Sequence, residues 1–267
     1  DAKYFFDEGM KTPLASYQQG LRDVTYQKAL GSLWDKTVRV AELASAIAER
    51  LFAQDIDVDA AQAARAAGLS RCDLLTRMVG EFPELQGVMG RYYASHDGEP
   101  AAVAEALDSY YQPRFGGDAI AADRLGQVLA VAERLDTLAG IFAVGMKPGG
   151  NKDPFALRRA ALGLARTLIE AGMELDLRGS LVEALELVPD SALAAGLKPG
   201  KDGKPVALNA GQRRAILVDE LYDFVLDRLR GYYAEQGFDN AQFEAVLAVQ
   251  PGSLADFDRR LRAVVEF

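Results

Sequence analysis

The chain has 267 residues, 49% of them hydrophobic and 26% charged, and its 30 Lys and Arg against 39 Asp and Glu give a formal net charge of −9. That is enough apolar chain for one large or two modest domains, and the acidic balance excludes broad, indiscriminate affinity for DNA or RNA, which needs a positive field. No apolar run is long enough to cross a bilayer, no basic-then-apolar leader opens the chain, and the single cysteine, Cys72, excludes an intrachain disulfide framework, so the cytoplasm is the expected compartment.

The chain opens on Asp-Ala-Lys-Tyr-Phe-Phe and closes inside an amphipathic pattern, so both ends read as cuts in a longer protein. Residues 1–9 carry an aromatic run that the pattern does not place. From Pro13 onward the apolar spacing is helical almost throughout and predicts helices near 13–30, 33–53, 59–67, 70–80, 83–95, 100–111, 121–143, 154–172 and 178–187. Asp59 and Ser70 read as N-caps, Gly68 as a stop, and Pro83, Pro100 and Pro113 as punctuation. The class is all-α: a multi-helix bundle followed by a smaller helical unit.

On the predicted helix 121–143, Asp136 falls about 40° from Ala132 around the axis, at the edge of a wide apolar face. A carboxylate there needs a partner, with Arg91 or Arg158 expected, and a structural ion pair is favoured over a metal ligand.

The stretch that organises the chain runs from Gly145 to Arg166. A Gly- and Pro-rich loop gives way at Asp153-Pro154 to a helix, Asp as the cap and Pro at the first helical position. Leu157, Ala161, Leu164 and Leu168 share one face of it, Arg159 and Arg166 the opposite one, and Arg158 the flank. Lys147, Lys152, Arg158, Arg159 and Arg166 stand against the single acid Asp153. Two readings fit: a solvated helix face, or a seat for a phosphate beside free N–H groups at a helix N-terminus. The Gly145–Gly150 run lacks the Lys-Ser/Thr ending of a P-loop.

The polar run Gly196-Leu-Lys-Pro-Gly-Lys-Asp-Gly-Lys-Pro205 reads as a linker, giving an expected division into 1–195, a linker over 196–208, and 209–267. Beyond it, Leu217, Leu221, Phe224, Val225, Leu229 and Tyr232 form one stripe, and helices near 239–248 and 253–266 are predicted to pack on it. Arg213, Arg214, Arg228 and Arg230 lie there among Asp219, Asp223 and Asp227, and Arg91-Tyr92-Tyr93 is a further weak candidate for stacking on nucleotides. Cys72 and Trp34 read as packing residues.

Lys152-Asp-Pro-Phe-Ala-Leu-Arg-Arg-Ala-Ala-Leu-Gly163 resembles a signature of the beta subunit of bacterial heterotetrameric glycyl-tRNA synthetase. Met78-Val-Gly-Glu-Phe-Pro-Glu-Leu-Gln-Gly-Val-Met-Gly-Arg-Tyr-Tyr-Ala94, Leu30-Gly-Ser-Leu-Trp-Asp-Lys-Thr37, Leu135-Asp-Thr-Leu-Ala-Gly-Ile-Phe142 and Lys11-Thr-Pro-Leu14 resemble the same family. The resemblance implies a ligase joining glycine to tRNA, with ATP and Mg used on the alpha subunit and no cofactor in this part of the chain. It also implies an HD-like helical domain followed by the start of an anticodon-binding domain similar to that of arginyl-tRNA synthetase. The expected partners are the alpha subunit and tRNA, with no role for DNA or a membrane.

HD hydrolases hold a metal with histidines and aspartates, and the matching positions here are Thr76 and Arg77, with Glu133 in place of the later Asp. An arginine repels a metal ion, and the only histidine, His96, precedes an apparent loop, so no metal site and no catalytic residue is expected. Lys147, Lys152, Arg158, Arg159, Arg166, Arg91, Arg213 and Arg214 are the candidate tRNA contacts. A surviving metal-dependent phosphohydrolase, or a scaffold for the alpha subunit without RNA contact, are the alternatives.

Overall fold

A computed structural model describes residues 1–265, and most of these are helical, as the apolar spacing predicts. The chain divides into two compact units, the first ending at Glu133 and the second starting at Arg134.

In the first unit, the unplaced aromatic run forms helix α1 (Ala2–Met10), capped by Asp1. The expected helix over 13–30 does not form. A 3-10 run (Leu14–Asp23) leads into a small antiparallel pair, β1 (Thr25–Gln27) and β2 (Gly31–Ser32). The run Val24-Thr25-Tyr26 favours extended backbone over helix, which accounts for the difference. Helix α2 (Leu33–Phe52) then starts on a capping box between Ser32 and Asp35. It packs on α3 (Ala60–Leu69), which also meets α6 (Ala101–Ser109).

The expected helices over 70–80 and 83–95 are each broken. Thr76, in an extended conformation, ends a 3-10 turn (Cys72–Leu75) and caps α4 (Arg77–Glu81). Gly87, at φ 86°, separates a second 3-10 turn (Pro83–Leu85) from α5 (Val88–His96). Helix α7 runs from Arg124 to Ala143, and the boundary between units falls within it.

The second unit contains α8 (Leu157–Glu170), α9 (Leu177–Glu186), α10 (Asp190–Ala195), α11 (Ala210–Glu235), α12 (Asn240–Ala248) and α13 (Leu254–Val265). Helix α11 packs on both α8 and α9, and α13 also meets α8, so residues after the Gly- and Pro-rich run share a core with those before it. The boundary between units at Glu133/Arg134 is therefore placed differently from the compositional break at 196–208. Tyr233, Phe243 and Phe257 cluster at the α11–α12–α13 junction, with centroids 4.9 to 6.2 Å apart and Tyr233 stacked on Phe257.

Candidate nucleic-acid interface

The Gly145–Arg166 stretch lies wholly in the second unit and is stitched rather than loose. Helix α7 ends with Met146 N–H donating to Ile141 O and Gly145 N–H to Phe142 O, at 3.1 and 3.0 Å. Gly145 at φ 80° supplies the left-handed residue that this ending requires. Gly149 and Lys152 then exchange both backbone hydrogen bonds, at 3.0 and 2.9 Å, around a turn in which Gly150 has φ 53°.

Asp153 caps α8, but the helix starts at Leu157 rather than Pro154, because Ala156 takes a left-handed conformation. Its Oδ1 accepts the Leu157 N–H at 2.8 Å and its Oδ2 the Arg158 N–H at 3.0 Å. An internal carboxylate thus already takes two of the N–H groups at this helix end and offsets its dipole. Arg158 Nη2 in turn donates to the Gly150 carbonyl at 2.9 Å, tying helix to turn.

The predicted apolar face is present, with Leu157, Ala161, Leu164 and Leu168 all buried. The predicted cationic face is narrower than expected. Lys152 and Arg159 are exposed and their side chains make no hydrogen bond or ion pair with a described residue. Lys147 pairs with Glu220 and lies 5.8 Å from the Phe142 ring. Arg166 is buried and bonded to Glu170 one turn along at 2.7 Å, because the C-terminal half of α8 is covered on nearly every side.

The remaining candidate cations are engaged or enclosed. Arg91 pairs with Asp108 at 3.5 Å and lies 5.2 Å from the Tyr92 ring centre. Arg214 donates to the carbonyls of Leu185 and Val188, at 2.9 and 2.8 Å, and to Asp190 at 2.7 Å. Arg213 is buried on the inner face of α11. Asp136 is fully buried, while Arg91 pairs with Asp108 and Arg158 donates to the Gly150 carbonyl.

In the first unit, the positions matched to an HD site do other work. Thr76 is buried, donates its hydroxyl to the Asp73 carbonyl at 2.6 Å and accepts the Val79 N–H at 3.3 Å, while Arg77 is exposed. Glu133 pairs with Arg71 and, at 3.5 Å, with Lys36, which is 1% exposed and also lies 4.6 Å from the Tyr26 ring. Burial alone would lower the Arg71 pKa, but the Glu133 carboxylate together with Tyr110 and Tyr111 outweighs it and holds the guanidinium above its ordinary value. Among the described residues, no three His, Cys, Asp or Glu side chains come together as a metal site. His96 ends α5 on the surface, and Trp34 is half-buried with Arg22 5.1 Å from its ring.

The sequence reading missed Asp73. It is 1% exposed, and its Oδ2 accepts the N–H groups of Gly87 and Gly90, at 2.7 and 3.0 Å. Burial pushes its carboxyl up to about 6, despite those two bonds. Beside it, the Cys72 thiol is buried and pushed up to about 12 by desolvation, so it is a packing residue and not a nucleophile. No described helix is long and apolar enough to cross a membrane.

These geometries belong to a chain whose residues 1–248 match the family model described as glycyl-tRNA synthetase beta subunit. It is 53% identical over 264 residues to the glycine–tRNA ligase beta subunit of Xanthomonas campestris pv. campestris (strain 8004), a match covering 99% of this chain and 35% of that protein. It is 49% identical over 277 residues to the protein of that name from Xylella fastidiosa (strain Temecula1), covering 100% of this chain and 38% of that one. The corresponding values for Pseudomonas aeruginosa (strain UCBPP-PA14) are 45% over 267 residues, 100% and 35%. The chain thus spans little more than a third of the length of these relatives. With a family model matching nearly its whole length, this chain belongs to the glycyl-tRNA synthetase beta subunit family.

Proposed function

We propose that this chain is the part of a glycine–tRNA ligase beta subunit that helps to hold tRNA while glycine is activated with ATP and Mg on an alpha subunit. The relatives' names, which are those of a ligase's beta subunit, support an alpha partner and a cytoplasmic setting. Under this reading the chain carries an HD-like helical part without its own chemistry, followed by the start of the anticodon-binding domain. The task is positional: cations that touch phosphates fix where the RNA lies, so that its terminal adenosine reaches the other subunit.

The observation that carries the reading is the exposed pair Lys152 and Arg159, held on a stitched turn and the first turns of α8, with Arg158 and Lys147 beside them. Two unpaired cations on rigid backbone in an otherwise acidic chain are suited to phosphate contact. The test is tRNA binding by the full-length protein carrying Lys152→Ala and Arg159→Ala together. These exposed residues support no internal contact, so the fold is retained. The slope of log affinity against log salt is expected to become shallower by about one for each phosphate that is no longer neutralised. An unchanged slope and affinity remove these residues from the interface.

A further inference from the structure

A second cationic feature of the same unit points inward. The segment after α7 and the segment after α10 cross at Gly145 and Gly196, so closely that a Cβ on Gly196 would lie 1.8 Å from the Ala143 carbonyl oxygen. Beside the crossing is a cavity of about 310 Å³ lined by Gly145, Lys147, Gly196, Leu197, Lys198 and Arg213. Arg213 reaches it from the apolar stripe of α11, one turn before Leu217. Its residue is 7% exposed, its Nε is buried with no hydrogen-bond partner, and no described carboxylate pairs with it.

With its Nε buried and unpartnered and no acid against it, the Arg213 guanidinium keeps donor capacity for an anion that enters the cavity. Lys198 is exposed and makes no ion pair among the described residues, Lys147 pairs with Glu220, and no acid is among the lining residues. The local balance is two positive charges, one of them on a planar fork that matches a tetrahedral oxyanion. The volume is at the lower limit for small-ligand sites, which suits one phosphate group with its attached sugar and not a larger ligand.

We propose that this cavity is a phosphate-binding site, with Arg213 as the buried donor and Lys198 as the exposed cation that completes it. The proposal does not rest on the tRNA contacts of Lys152 and Arg159. The phosphate can come from a free small molecule or from an RNA backbone.

The test is equilibrium binding of inorganic phosphate to the full-length protein, isolated with its natural partners, in chloride buffer of matched ionic strength. Lys198→Ala, on an exposed side chain that leaves the fold intact, should weaken the site at least tenfold, and Arg213→Gln should abolish it. Absence of phosphate binding to the wild type, or binding unchanged by Lys198→Ala, overturns the proposal. In the arm with tRNA present, displacement of phosphate from the Lys198-dependent site identifies the RNA backbone as its source, and undisturbed phosphate binding identifies a small anion. Because the primary measurement contains no RNA, it stands whether or not the Lys152 and Arg159 variants alter tRNA binding.

Discussion

Asp73 accepts the backbone N–H of Gly87 at 2.7 Å, and so a buried carboxylate pins the turn that starts α5 to the 3-10 turn before α4. Gly87 sits at φ 86°, a conformation that leaves its N–H aimed inward and that a side chain would resist. Burial raises the Asp73 carboxyl to about 6 from an unfolded value of 3.8. The folded state therefore binds a proton more readily than the unfolded chain between those values. The stability tied to this group rises as pH falls from 6 toward 4, and is lowest above pH 6, where ionisation costs about 2–3 kcal/mol. Asp73→Asn keeps an acceptor and drops the charge. Denaturant unfolding of wild type and variant should show the difference moving in favour of the wild type as pH is lowered through that window, and a constant difference refutes the assignment.

Glu133 sits between Arg71 and Lys36. Glu133→Leu leaves two cations buried without their acid and should cost about 3–5 kcal/mol, whereas Lys36→Met, which leaves Glu133 with Arg71, should cost much less. Comparable losses from the two changes would contradict the central place given to Glu133.

Asp153→Ala removes both acceptors from the first two N–H groups of α8. The expected loss is about 1 kcal/mol of stability. Because the only acid of the cationic stretch goes with it, tRNA affinity should rise under the proposed function, measured at fixed salt. A fall in affinity at retained fold would show that the stitched turn, not net charge, governs how the RNA is held.

Gly196→Ala forces a methyl onto the Ala143 carbonyl and should destabilise by about 1–3 kcal/mol. Gly98→Ala meets no atom within 4 Å but must hold φ 82°, so it reports backbone strain alone. A milder effect at Gly196 than at Gly98 would remove the close crossing from the account.

Helix positions were legible wherever the apolar repeat was long, as in α2, α7 and α11, because a wide buried stripe leaves a 3.6-residue signature. Boundaries failed where one residue's backbone decided the outcome. Thr76, Gly87 and Ala156 each end or delay a helix through local dihedrals that the apolar pattern does not encode. Lys36 could have been found: it lies one turn before Val40 on the stripe that continues through Leu43 and Ile47, and a cation on an apolar stripe implies a buried acid. The charge count of the Gly145–Arg166 stretch was readable, but not the fate of every charge. The pairing of Lys147 with Glu220 depends on α11, which spacing alone does not bring into view, whereas the Arg166–Glu170 pair, four residues apart on one helix, could have been read from the sequence.

The sheltered thiol of Cys72 has a practical consequence. With its proton held until about pH 12 and no surface of its own, it is passed over by maleimides and similar reagents under ordinary conditions. A single cysteine introduced at a solvent-facing position such as Lys152 would be the one reactive handle among the described residues of this chain, so a fluorophore or spin label can be placed on the cationic stretch without first stripping out the native sulfur.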